Sequence, residues 1–133
     1  MVKIFMASNA NSELRVVTAA KNLCSYILTV TNKSPKSFRF TIVSRLQNLS
    51  LDIIENIYKA NEVFVQNENL QNMQKRLDLQ HTALTSVKIL AYISLLAREQ
   101  GCILPKQYEQ ISKLTHDCQY LLGAWIKSGK KYL

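Results

Sequence analysis

Two imidazoles, His81 and His116, are the natural starting points for chemistry in this sequence. A helical metal pair needs a second ligand one turn along. His81 is followed by no carboxylate, cysteine or histidine at i+3 or i+4. His116 adjoins Asp117, but neighbouring helical positions point to different faces and do not chelate together. Both read as polar-face or partly buried histidines. Asp52 and Glu55 are three residues apart and share a helix face, but no histidine follows to complete an E-x-x-H di-metal signature. Ion pairing with Lys59 is the simpler use of these carboxylates. With three glycines in the chain there is neither a phosphate-cradling loop nor a nucleophile elbow. The three cysteines, Cys24, Cys102 and Cys118, have no C-x-x-C spacing and read as reduced, buried thiols of a cytoplasmic protein. The expectation is a protein with no catalytic residue, no cofactor and no metal.

The cations say more. Seventeen Lys and Arg face nine Asp and Glu, a net charge of +8. Such an excess favours polyanionic partners through long-range attraction and counterion release. From Lys33 to Arg45 the chain carries Lys33, Lys36, Arg39 and Arg45 with no acid, and Phe38 and Phe40 interleave with them. Lys106 stands just after Pro105, and Lys127, Lys130 and Lys131 make a basic C-terminus, whereas acids gather between Asp52 and Glu68. The candidate nucleic-acid-binding residues are Lys36, Arg39, Arg45, Lys106, Lys127, Lys130 and Lys131. The competing reading is a solvated face with cations at helix ends. On an α-helical wheel of about 100° per residue, Lys36 and Arg39 share a face and Arg45 points the other way. Arg45 is therefore expected to serve an ion pair within or between subunits. Arg39 and Arg45 also have a structural alternative, pairing with an acid such as Glu109.

Those residues have to be positioned by helices. The 133 residues suit one domain, 47% of them are hydrophobic, and three Gly and two Pro are few for a turn-rich β fold. Apolar residues step by three and four at Val16, Ala20, Leu23, Ile27 and Val30, a first helix that opens after Asn11 or Ser12. Pro35 ends it and, with Ser34 as cap, opens a second carrying Ile42, Leu46, Leu49, Ile53, Ile57, Ala60 and Phe64. The break before the third helix is placed in Gln66-Asn67-Glu68-Asn69. Leu70, Met73, Leu77, Leu84, Val87 and Ala91 mark its face, with polar Gln80 at an apolar position. Gly101 supplies a left-handed cap, and Pro105 opens a fourth helix with Tyr108, Ile111, Leu114, Cys118, Leu121 and Trp125 inward.

The predicted helices span about 12–31, 35–65, 69–100 and 105–128. Short connections at Pro35 and Pro105 make neighbours antiparallel, so the expected architecture is all-α, an up-down-up-down four-helix bundle. Helix two, if unbroken, reaches about 45 Å and leaves Phe38, Phe40 and Phe64 for an oligomer to cover. Tyr108 and Trp125 are expected as core or interface aromatics. The apolar run near Met1 is too short for a signal-peptide core, and Val87 to Ala97 falls well short of a membrane span.

Two stretches carry a family resemblance. Pro35-Lys36-Ser37-Phe38-Arg39-Phe40-Thr41, continuing through Arg45-Leu46-Gln47-Asn48, opens helix two. Leu104-Pro105-Lys106-Gln107-Tyr108-Glu109 opens helix four, which closes with Leu122-Gly123-Ala124-Trp125-Ile126-Lys127. Together they resemble the four-helix-bundle family of the accessory variability determinant (Avd) proteins of diversity-generating retroelements, a family that also includes proteins encoded in intervening sequences of 23S ribosomal RNA genes. The resemblance covers roughly Ser12 to Lys127. It implies a homopentameric barrel of bundles with a basic surface that binds template-region RNA and the element's reverse transcriptase, supports mutagenic cDNA synthesis, and carries no polymerase chemistry itself. An intervening-sequence-type protein of structural or unknown role is the alternative it leaves open. Leu104 departs from the pattern, since relatives often carry a small polar residue before the proline, and this predicts a weak cap on helix four.

Overall fold

The computed structural model describes residues 7–63 and 69–130. Four helices account for most of them: α1 (Ala7–Thr31), α2 (Ser44–Glu62), α3 (Leu70–Glu99) and α4 (Pro105–Lys130). Each packs on two others in the cyclic order α1, α2, α3, α4 and back to α1, which is the up-down-up-down bundle. The steps of three and four place Val16, Ala20, Leu23, Ile27 and Val30 of α1 and Leu46, Leu49, Ile53, Ile57 and Ala60 of α2 in the core. Trp125 is its largest fully buried side chain.

The first helix starts earlier than expected, at Ala7 rather than after Asn11 or Ser12. Cap-forming residues permit a helix start without enforcing one, because their propensity in a helix interior is only a few tenths of a kcal/mol worse than that of most residues. The second helix departs further. Pro35 is extended (ψ 141°), Ser34 gives no side-chain cap, and Lys36–Phe38 forms a 3₁₀ turn. A π turn follows over Arg39–Val43, in which the Ser44 N–H donates to the Arg39 carbonyl five residues back. Regular α-helix begins only at Ser44, so α2 has 19 residues, about 28 Å, and the 30-residue α3, about 45 Å, is the longest helix. Phe38, expected to await an oligomer, is half-buried against the core, whereas Phe40 is 86% exposed. Phe64 lies outside the described residues, as do Gln66, Asn67 and Glu68 of the expected break; Asn69 is the N-cap of α3, its side chain accepting from the Asn72 N–H at 3.0 Å.

The inward stripe of α3 is also displaced. Met73, Gln80, Ala83, Val87, Leu90, Ser94 and Ala97 are buried, Leu77, Leu84 and Ala91 are half-buried, and Leu70 is exposed. Apolar residues surround this helix on most sides, so periodicity does not choose the face. Small Ala83, Ser94 and Ala97 turn inward, where backbones approach. In α4 the buried set adds Thr115, Leu122 and Ile126, while Leu114 and Leu121 pack at its margin.

Turn chemistry closes the α3–α4 connection. Gly101 has φ 78°, and the Cys102 N–H donates to the Ala97 carbonyl at 2.8 Å while the Gly101 N–H donates to Arg98 at 3.1 Å, a Schellman cap. Cys102 and Ile103 then enter the core. Leu104 cannot cap α4, but the Gln107 side chain reaches back and accepts from the Leu104 N–H at 2.8 Å. That is half of a capping box, and it offsets the missing small polar residue.

Candidate nucleic-acid interface

The topology divides the charged residues between two ends. The α1 C-terminus, the 3₁₀ and π turns, the α3 C-terminus and the start of α4 share one end, where the Ser34 hydroxyl lies beside the Cys102 thiol. Lys33, Lys36, Arg39, Arg45 and Lys106 are all exposed there. Among the described residues the ion pairs are Lys59–Glu55 at 3.3 Å and Arg76–Glu13 at 3.4 Å, and neither involves this end. The expected pairing of Arg39 or Arg45 with Glu109 is not formed; Glu109 is exposed. Arg45 likewise makes no ion pair among the described residues.

The 3₁₀ turn changes the wheel on which these residues were placed. The Arg39 N–H closes the 3₁₀ turn on the Lys36 carbonyl, and at about three residues per turn positions i and i+3 come nearer to one face than the roughly 60° offset of an α-helix. Arg45 stands beyond the π turn, in the first turn of α2. Lys106 occupies the first turn of α4, where the positive end of the helix dipole disfavours a cation by a few tenths of a kcal/mol. A lysine there does nothing for the stability of its own helix. Arg98 caps the group from α3, its guanidinium carbon 5.6 Å from the Tyr108 ring centroid.

The C-terminal candidates do not join this group. Lys127 is exposed near the end of α4 and Lys130 is its last residue, both at the opposite end of the bundle; Lys131 lies outside the described residues. The basic set therefore splits into Lys36, Arg39, Arg45 and Lys106 at one end and Lys127 and Lys130 at the other. Chain reversal at Pro105 returns Lys106 to the same end of the bundle as residues seventy positions earlier, which spacing along the sequence does not reveal.

At that opposite end, one residue from each helix enters a polar network that spacing did not reveal. The Asn61 amide of α2, its nitrogen turned to the carboxylate, donates to both Glu13 oxygens at 2.7 and 2.9 Å. Glu13 of α1 pairs with Arg76 of α3, and the Arg76 guanidinium lies 5.2 Å from the Trp125 ring centroid of α4.

No group of three or more His, Cys, Asp or Glu side chains that could hold a metal ion gathers among the described residues, and His81 and His116 are exposed. Glu55 pairs with Lys59 on the surface, as expected; Asp52 does not join them, and the Asn56 amide donates to its backbone carbonyl. The three cysteines are buried and unlinked. Burial, with a smaller contribution from neighbouring Asp117, pushes the Cys118 thiol up to about 12. Burial also raises Cys102, and the Ser34 hydroxyl offsets part of that rise. Cys102 and Cys118 therefore stay protonated at neutral pH, the opposite of what a nucleophile or metal ligand requires. No helix among the described residues is long and apolar enough to cross a membrane.

The fold and this end together define a four-helix bundle with a basic pole whose cations make no ion pair among the described residues. Compared with family models, with curated proteins and with solved structures, the chain matches none.

Proposed function

We propose that this protein is a non-catalytic RNA-binding accessory protein, of the kind that assists the reverse transcriptase of a diversity-generating retroelement. The observation that carries the RNA-binding part is the basic pole, where Lys36, Arg39, Arg45 and Lys106 are exposed and make no ion pair among the described residues. Cations left without acids keep their full capacity to neutralise phosphates and release counterions. The reverse transcriptase, and template-region RNA as the specific target, rest on the sequence resemblance at Pro35–Asn48 and Leu104–Lys127. So does a homo-oligomer, a pentamer in that family. Exposed Leu51 and Tyr58 on α2 and Tyr92 on α3 are surfaces that such an assembly would cover.

The test is RNA affinity as a function of salt. Binding should weaken steeply between low and moderate salt, and replacing both Lys36 and Arg39 by Ala should reduce the salt slope by at most about two. An affinity indifferent to salt removes the basis of the proposal. Sedimentation equilibrium reads the assembly separately, and a 15.2 kDa species at micromolar concentration would exclude a stable oligomer. A neighbouring reverse-transcriptase gene with paired template and variable repeats would distinguish the retroelement role from that of a ribosomal intervening-sequence protein.

A further inference from the structure

Phe40 is the most exposed large hydrophobic residue among those described, at 86%, and it stands in the acid-free segment Lys33–Arg45. Local structure explains the exposure. Phe38, immediately before the π turn, packs against the core, and Val43, its last residue, is buried. The π turn spends one extra residue between these two anchors, closed by the Ser44 N–H donating to Arg39. Phe40 is on the outer side of that wide turn, next to exposed Arg39 and one turn from exposed Lys36. The exposed rings Tyr92 and Tyr120 lie on the bodies of α3 and α4, and Leu104, exposed in the α3–α4 connection, has no ring to stack.

An apolar ring held in water among cations that make no ion pair with the described residues suits a ligand that is both polyanionic and aromatic. Single-stranded nucleic acid is that ligand: its phosphates meet the cations, and its unstacked bases offer flat faces to a side-chain ring. A duplex keeps its bases stacked inside, so it can use the cations but not the ring. We infer that Phe40 is a stacking platform for an unpaired base and gives this pole a preference for single-stranded over double-stranded RNA. The inference rests on the RNA-binding reading above and adds the form of the ligand.

The experiment compares a short fluorescein-labelled single-stranded RNA with the same strand annealed to its complement, by fluorescence anisotropy at fixed salt. Phe40→Ala should weaken single-strand binding by about 5- to 100-fold, the range for loss of one base-stacking ring, while duplex binding and the salt slope stay as they were. Phe40→Trp should keep the affinity, and its added indole emission should be quenched by the single strand. Equal single-strand affinity of Phe40→Ala and the unaltered protein would overturn the stacking role and leave the ring for a protein partner. Parallel losses on single strand and duplex would overturn it too. These outcomes leave the basic pole standing. Failure of the unaltered protein to bind either RNA would instead remove the RNA-binding reading and this inference with it. The ring's exposure means that Phe40→Ala should keep the helical circular dichroism of the parent.

Discussion

The two ends of the bundle treat charge in opposite ways. Where α1 and α3 begin and α2 and α4 end, Glu13, Asn61, Arg76 and Trp125 join the four helices through one acid, one amide, one guanidinium and one ring. The Arg76 and Glu13 side chains are only 19% and 25% exposed, so their attraction is less screened than that of a surface pair. At the far end Lys36, Arg39, Arg45 and Lys106 face solvent with no acid paired to them among the described residues. Charge satisfied within the chain holds the helices together. Charge left over is available to something else. At the closed pole one arginine is used to join the helices, although Lys127 is exposed there as well; at the open pole none of the four cations is so used among the described residues.

That contrast can be broken most severely at Trp125. Trp125→Ala should destabilise the fold by about 3–5 kcal/mol, because it opens a cavity in the core and removes the ring under Arg76. Chemical denaturation measures it, and a loss under about 1 kcal/mol would mean that the closed pole contributes little.

The buried thiol of α4 gives a pH test. Cys118 ionises near its ordinary value of 9.0 when unfolded but only at about 12 when folded. The unfolded state thus gains from deprotonation first. Its contribution is intact below about pH 9 and is lost as pH rises towards 12, at up to about 1.4 kcal/mol per pH unit. Urea midpoints of the parent and Cys118→Ala between pH 8 and roughly 11 isolate it from lysine and tyrosine titration. Identical slopes in the two proteins would contradict the burial effect.

Glu13→Ala should cost about 1–3 kcal/mol, since it leaves Arg76 and Asn61 without the carboxylate they share. A companion Arg76→Ala closes a double-mutant cycle, and a coupling energy near zero would reduce the network to a coincidence of neighbours. The smallest expected stability effect belongs to the open pole. Lys36→Ala with Arg39→Ala should change stability by less than about 0.5 kcal/mol while weakening RNA binding. A large loss of stability from this pair would place the open pole among the structural contacts and erase the difference between the ends.

How much of this was legible in the chain follows from the reach of each interaction. Helix existence came from apolar residues stepping by three and four, and the two prolines and Gly101 punctuated the chain because their constraints act on the next one or two residues. The burial of Trp125 was readable for the same reason. In α3 the pattern failed: apolar side chains surround the helix, and only packing against α2 and α4 turned Ala83, Ser94 and Ala97 inward. The 3₁₀ and π turns over Lys36–Val43 were hidden too. Nothing in their residue types forbids an ordinary helix, and the positions of Phe38 and Val43 against the core set the local winding. For the candidate site, the sequence by itself determined that Lys33–Arg45 is basic and free of acid. Tertiary structure decided that Lys106 belongs with it, that Lys127 does not, and that Phe40 faces solvent while Phe38 does not, because chain reversal and core contacts act between residues that no local spacing relates.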